Sequence, residues 1–224
     1  MSSSSTRIFL FRHAEVAPEW GGRIYGARDV PLAPEGPEQS RRAASRLAHV
    51  ALAAVVSSGL ERTEVLAGEL RRPRGLARLD DPGLREVERG EWVGLLPAEV
   101  ERRWPGAWTT WCERPESTRA PGGESLSDLQ ARVRPRLDQW AERHAGRTIA
   151  LVTHGWVIRV VLCELLGLAL SAAARLDVRT TDLFVLRWSD GRLGRLDGFA
   201  LAERLAAPED QLSERPLGPL LGPG

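Results

Sequence analysis

Two short apolar runs, Arg7-Ile8-Phe9-Leu10-Phe11 and Ile149-Ala150-Leu151-Val152-Thr153, both run straight into a histidine. Unbroken β-prone runs of this length belong to strands buried on both faces, the environment of a parallel sheet covered by helices. A strand that only packs ends on another apolar residue or on a turn former. These two end instead on Arg12-His13 and on His154-Gly155, groups that meet anions.

The stretches between them alternate helix and strand. The spacing predicts a helix over 37–49, with Ala43, Leu47 and Val50 on one side, and a second buried strand over 51–58. A helix over 61–71 is stopped by Pro73, and residues 76–80 form a third strand. Residues 125–144 present Leu126, Leu129, Val133, Leu137 and Trp140 as an apolar stripe. Ser125 and Asp128 resemble a capping box there, and Pro135 is a defect expected to kink the helix. A strand over 148–155 leads into a helix over 156–168. Two late strands, 182–189 and 192–200, flank Asp190-Gly191, a strong hairpin signal.

Residues 91–124 break the alternation, hold four of the eight tryptophans, and read as an insertion over the core. The expected fold is therefore a three-layer α/β/α sandwich with a mainly parallel sheet, a late hairpin and a small Trp-rich insertion over the site. Residues 1–6 are expected to be disordered, 7–203 to form one domain, and the Pro/Gly-rich 204–224 to fray.

Composition narrows the partners. Basic residues number 31 against 30 acidic, so no net field recruits nucleic acid or an anionic membrane. Every basic side chain is an arginine, so any anion site must use guanidinium forks or histidines. Cys112 and Cys163 stand alone and make neither a disulfide framework nor a zinc site. The N-terminus lacks a signal-peptide pattern and no apolar run approaches a bilayer span, so a cytoplasmic protein, monomer or homodimer, is expected.

In open parallel sheets ligands bind beyond the carboxyl ends of the strands. Arg12, His13 and His154 sit at two such ends, and Arg62 follows a third after a short turn. A helix beginning near Gly155 adds backbone N–H donors. Taken singly, a histidine after a strand is more often structural, and an arginine in a first helical turn opposes the dipole. Together they describe a pocket for a dianion, most simply a phosphoryl group, with one imidazole able to act as nucleophile. Breaking a phosphate ester also needs a proton for the leaving oxygen. Glu86, Glu88 and Glu91 all offer one, and residue type does not choose among them.

The motifs resemble those of the histidine phosphatase superfamily, the phosphoglycerate-mutase-like proteins. Phe11-Arg12-His13-Ala14 is similar to its Arg-His-Gly signature, and residues 24–36 to its Gly-x-x-Asp-x-Pro-Leu segment. Residues 57–67 resemble the segment with the second arginine, Leu84-Arg85-Glu86 and the following Gly-x-Trp-x-Gly the acid motif. Pro121-Gly122-Gly123-Glu124-Ser125 recurs in many members, and Thr153-His154-Gly155 resembles the second histidine motif. The resemblance implies that His13 becomes phosphohistidine, that Arg12, Arg62, His154 and the Gly155 turn hold the phosphoryl oxygens, and that Glu86 is the acid and then the base. It implies no metal and no cofactor.

Departures from the pattern bear on the substrate. Ala14 replaces the usual glycine, Val16 a common threonine and Glu19 a phosphate-contacting asparagine of some members, while Val65-Leu66 replaces Gln-Thr. The acid motif and the compact insertion resemble the phosphatase branch, and residues 24–32 are similar to α-ribazole phosphatases. A small phosphorylated substrate is expected. A mutase, or a binding module that has lost turnover, is the alternative. Tyr25, Trp104 and Trp108 are candidate lining residues; tryptophans at helical spacing, here with Trp111, more often form a small core of the insertion, and Tyr25 equally suits packing.

Overall fold

The computed structural model describes residues 5–200, so the expected tail over 204–224 lies outside the described residues. Six strands form one sheet: β1 (Thr6–Arg12), β2 (Ala54–Ser57), β3 (Leu79–Asp80), β4 (Thr148–Thr153), β5 (Leu183–Ser189) and β6 (Arg192–Ala200). Their order is β3-β2-β4-β1-β5-β6. The first four are parallel to one another, and the β5–β6 hairpin adds antiparallel to β1. The sheet is mainly parallel, as the apolar runs require. Asp190 and Gly191 turn the hairpin with φ of 53° and 75°, the two positive values of a type I′ turn.

Alternation along the strands sorts the core into two layers. Ile8 and Leu10, with Val56, Ile149 and Leu151, face α5 (Leu126–Arg143) and α6 (Gly155–Leu166). Phe9 and Phe11, with Val55, Ala150 and Val152, face α1 (Gly36–Ser45) and α2 (Glu61–Arg71). Both layers exclude water, and burying each such side chain contributes roughly 2 kcal/mol.

Element ends differ from expectation for local reasons. Thr6 belongs to β1 rather than to a disordered leader, because its buried hydroxyl donates to the Ala141 carbonyl at 2.8 Å. The α1 helix stops at Ser45, since Leu47 and Ala48 bond three residues back and tighten the last turn. The second strand shrinks to 54–57 and the third to two residues. Ser125 and Asp128 do form the capping box, and α5 continues through Pro135, whose displaced carbonyl partner Ala131 is exposed to water.

The insertion folds as α3 (Pro97–Arg103) and α4 (Ala107–Glu113). Gly106, with φ of 81°, separates them, so Trp104 does not share a helix with Trp108 and Trp111. Trp108 stacks on Trp111 at 5.6 Å and tilts against Trp92 at 5.9 Å. Trp111, fully buried, meets Trp156 edge to face at 4.9 Å in the first turn of α6. The insertion therefore abuts the helix that follows β4.

Candidate active site

Parallel pairing brings the two histidines together. Arg12 is the partner of Thr153 in the β1–β4 register, so the next residue of each strand, His13 and His154, leaves the sheet side by side. Their rings meet edge to face with centroids 5.2 Å apart, and both are buried. The β2 strand pairs on the other side of β4, which carries Ser58 to His154.

Hydrogen bonding fixes the state of each ring. His13 Nδ1 donates to the Ala14 carbonyl at 2.6 Å, leaving the Nε2 lone pair free. The Thr63 hydroxyl donates to the Leu60 carbonyl at 2.8 Å, and so must accept from Ser58 Oγ at 3.0 Å. Ser58 Oγ then accepts from His154 Nε2 at 2.8 Å, which puts the proton there and leaves Nδ1 buried without a partner. Burial first, then the Arg62 guanidinium, pushes both imidazoles well below their usual pKa.

The guanidiniums are anchored by backbone carbonyls. Arg12 donates from Nη1 to the Val178 carbonyl at 2.7 Å, and its Nε is buried with no acceptor among the described residues. Arg62 is fully buried, donates to the Arg28 and Gly26 carbonyls at 2.6 and 2.8 Å, and likewise keeps Nε unpaired. Its awkward place in the first turn of α2 is offset by Asp29, 3.8 Å away, whose carboxylate also accepts from the Glu61 N–H at the helix start. Tyr25 lies beneath Arg62, the guanidinium 5.3 Å from its ring centre.

Glu86 is buried, whereas Glu88 is half-buried and Glu91 exposed. Its carboxylate accepts from the Val87 N–H at 3.0 Å and from the Trp156 N–H, in the first turn of α6, at 3.1 Å. The segment carrying it is clamped by Arg132 of α5, which donates to the Gly83, Arg85 and Glu86 carbonyls at 3.0, 3.1 and 3.3 Å. Glu124 pairs with Arg132 at 2.7 Å and accepts from the Glu88 N–H at 3.0 Å. Gly123 makes this possible, since a Cβ there would lie 2.7 Å from the Glu88 carbonyl. Gly155 has a similar duty: a Cβ would stand 3.1 Å from Arg159 Nη1 and 3.5 Å from Arg12 Nε. Ala14 sits at a backbone angle any residue accepts, since the positive-φ positions other than glycine among the described residues are Thr181 and Asp190.

Trp104 and Trp108 pack with the apolar core of the insertion, whereas Trp156 gives its backbone N–H to the Glu86 carboxylate. Sequence reasoning missed Trp156, the Ser58–Thr63 relay, Arg132, and two buried arginines, Arg89 and Arg159. Arg159 had a usable signal, lying one turn after Gly155 on the same face of α6.

The chain is 34% identical over 167 residues to phosphoserine phosphatase 1 of Hydrogenobacter thermophilus, covering 74% of this chain and 78% of that protein. It is 33% identical over 182 residues to a probable phosphoglycerate mutase GpmB of Yersinia pestis, covering 79% and 82%. The structure of mycobacterial glucosyl-3-phosphoglycerate phosphatase superposes with a TM-score of 0.76 at 30% identity, covering 88% and 99%. The α-ribazole phosphatase of Shigella flexneri, at 23% identity and a TM-score of 0.75, shares the fold, covering 85% and 95%. Residues 8–199 match the family model, and the chain belongs to the histidine phosphatase superfamily (branch 1).

Proposed function

We propose that the chain hydrolyses a small phosphorylated metabolite through a phosphohistidine on His13. The reading is carried by one observation: two neutral, buried imidazoles and two guanidiniums with unpaired N–H groups converge where β1 and β4 end. His13 Nε2 attacks phosphorus while the ester bond to the leaving oxygen breaks and Glu86 gives that oxygen a proton. The Ala14 carbonyl keeps accepting Nδ1–H and so supports the positive charge that forms on the phosphorylated ring. Arg12 and Arg62 meet transferring oxygens with their unpaired N–H groups, and the arriving dianion draws a proton onto His154 Nδ1, whose imidazolium then meets a third; guanidinium and imidazolium fill this electrostatic role without a metal. Glu86 then takes a proton from water, whose oxygen displaces His13 and releases inorganic phosphate.

The two free thiols, Cys112 and Cys163, are consistent with a reducing, cytoplasmic setting. A mutase reading draws on the similarity to the Yersinia protein; it requires the phosphoryl group to return to a sugar acid rather than to water. The test is hydrolysis of a chromogenic aryl phosphate in excess chelator. Release of free phosphate that disappears in His13→Ala supports the reading, and activity that survives in His13→Ala overturns it.

A further inference from the structure

Two arginines that the chemistry above does not use lie beside it. Arg89, in the segment after Glu86, is 3% exposed, and its Nε and Nη1 are shielded with no acceptor among the described residues. Its guanidinium lies 3.9 Å from the ring centre of Trp111 and 5.6 Å from that of Trp156. Arg159 approaches the same Trp156 at 4.8 Å, donates from Nε to the Leu176 carbonyl at 2.9 Å, and leaves Nη1 buried and unpaired. Arg159 Nη1 and Arg12 Nε close on the same glycine, Gly155, so the extra charges adjoin the phosphoryl pocket.

Burial first pushes both guanidiniums down to about 10, and the Glu86 carboxylate is the leading opposing influence on Arg89. Both therefore stay charged at neutral pH. Shielded guanidinium N–H groups left without an acceptor are costly. Stacking on indoles accounts for the faces of these side chains but not for their in-plane donors. A phosphoryl dianion satisfies the unpaired donors of Arg12 and Arg62 and leaves Arg89 and Arg159 waiting for a second oxyanion. Both guanidiniums pack on Trp156, whose backbone N–H the Glu86 carboxylate accepts at 3.1 Å; Glu86 faces the leaving oxygen in the reaction above, so that oxyanion belongs to the leaving group.

We propose that Arg89 and Arg159, gathered around Trp156 beside Glu86, form a second anion subsite that selects phosphomonoesters whose leaving group carries a carboxylate or another phosphate. The inference rests on the phosphatase reading for the position of the leaving group. Sequence alone hid Arg89, because nothing in residue type separates a buried arginine from a solvated one.

The test compares substrates that differ in one charged group: phosphoserine against phosphoethanolamine, and a glycerol bisphosphate against glycerol 3-phosphate. A buried charge-assisted hydrogen bond is worth roughly 1.5–3 kcal/mol, which corresponds to about ten- to a hundredfold in kcat/KM. Wild type is expected to prefer the charged member of at least one pair by that factor, mostly through KM, and the winning pair names the oxyanion. Arg159→Met and Arg89→Met are each expected to collapse the ratio towards one. A merely structural role would lower both members equally. Equal kcat/KM within both pairs in wild type, or a ratio untouched in Arg159→Met, overturns the subsite while aryl phosphate hydrolysis leaves the phosphatase reading standing. Because Arg89→Met removes packing under Trp111, binding is also read without turnover in the His13→Ala protein. There phosphoserine or the bisphosphate should raise Tm more than its partner compound, and equal shifts count against the subsite.

Discussion

His13 and His154 stand edge to face with ring centres 5.2 Å apart because Arg12 and Thr153 are register partners in adjacent parallel strands. Pairing starts the two residues about one strand spacing apart at the sheet's carboxyl end, which brings their rings within reach of each other. What the surroundings add is chemical state. One ring keeps a free Nε2 lone pair, and the other is held as the Nε2–H tautomer by a relay of two hydroxyls.

The relay gives the first expectation. Ser58→Ala removes the acceptor for His154 Nε2–H and leaves that proton buried without a partner. A buried neutral hydrogen bond of this kind is worth about 1 kcal/mol, so kcat/KM should fall by roughly five- to tenfold. The Nε2–H resonance of His154 in proton NMR should broaden or shift at the same time. An unchanged resonance together with unchanged kinetics would contradict the relay.

Acid sensitivity is the second. Both buried imidazoles are held neutral, with burial as the main cause, so their folded pKa lies below the ordinary 6.5. Below that pH the unfolded chain binds protons that the folded chain refuses, and unfolding becomes easier. Each ring removes up to about 1.4 kcal/mol of stability per pH unit as pH falls below about 6.5, and its full contribution is present above it. Urea unfolding between pH 5 and 7.5 should show this slope, and His154→Gln should flatten it by one proton (the pH values span the ordinary pKa of about 6.5). An equal slope in the variant would refute the assignment.

The clamp on the acid segment gives the third. Arg132 ties the carbonyls of Gly83, Arg85 and Glu86 to α5, and so sets where the Glu86 carboxylate points. Arg132→Met should lower kcat by roughly tenfold or more, as expected for a misplaced acid–base group. Competitive inhibition by inorganic phosphate should change little, since the anion-holding groups are untouched. A matched loss of phosphate affinity would show that Arg132 supports the whole pocket.

Gly155 gives the fourth. A methyl group there would crowd Arg159 Nη1 at 3.1 Å while meeting Arg12 Nε at an ordinary contact distance of 3.5 Å. Gly155→Ala improves helix propensity yet should raise the inhibition constant for inorganic phosphate several-fold. Tm should stay within a few degrees of wild type, because the contact lies at the ligand rather than in the core. Unaltered phosphate inhibition would mean that the crowded guanidinium yields freely.

The parts of this site that sequence reveals are those carried by strand ends. Continuous apolar runs mark strands of a parallel sheet, and such strands deliver their last residues to one edge, so Arg12, His13 and His154 could be placed together before any coordinates. Glu86 was one of three glutamates on chemical grounds, and only the family resemblance separated it; the fold buries Glu86 and leaves Glu91 exposed. The tryptophans pack in the small core of the insertion, the commoner outcome for such a stripe, but not along one helix. Three- and four-residue spacing implies one helix face only if the helix is continuous, and Pro105-Gly106 divides it between Trp104 and Trp108. Arg89 and Arg132 escaped because their meaning, an orphaned buried donor in one and a clamp on distant carbonyls in the other, arises from packing between segments far apart in the chain.

The most direct test of the account is to trap the enzyme in turnover with radiolabelled substrate and an acid-free quench, then map the labelled peptide. A phosphoramidate stable to base and labile to acid, located on His13 and absent from His13→Ala, is the predicted result. Steady turnover with no label on the protein, or label on any residue other than His13, would contradict it.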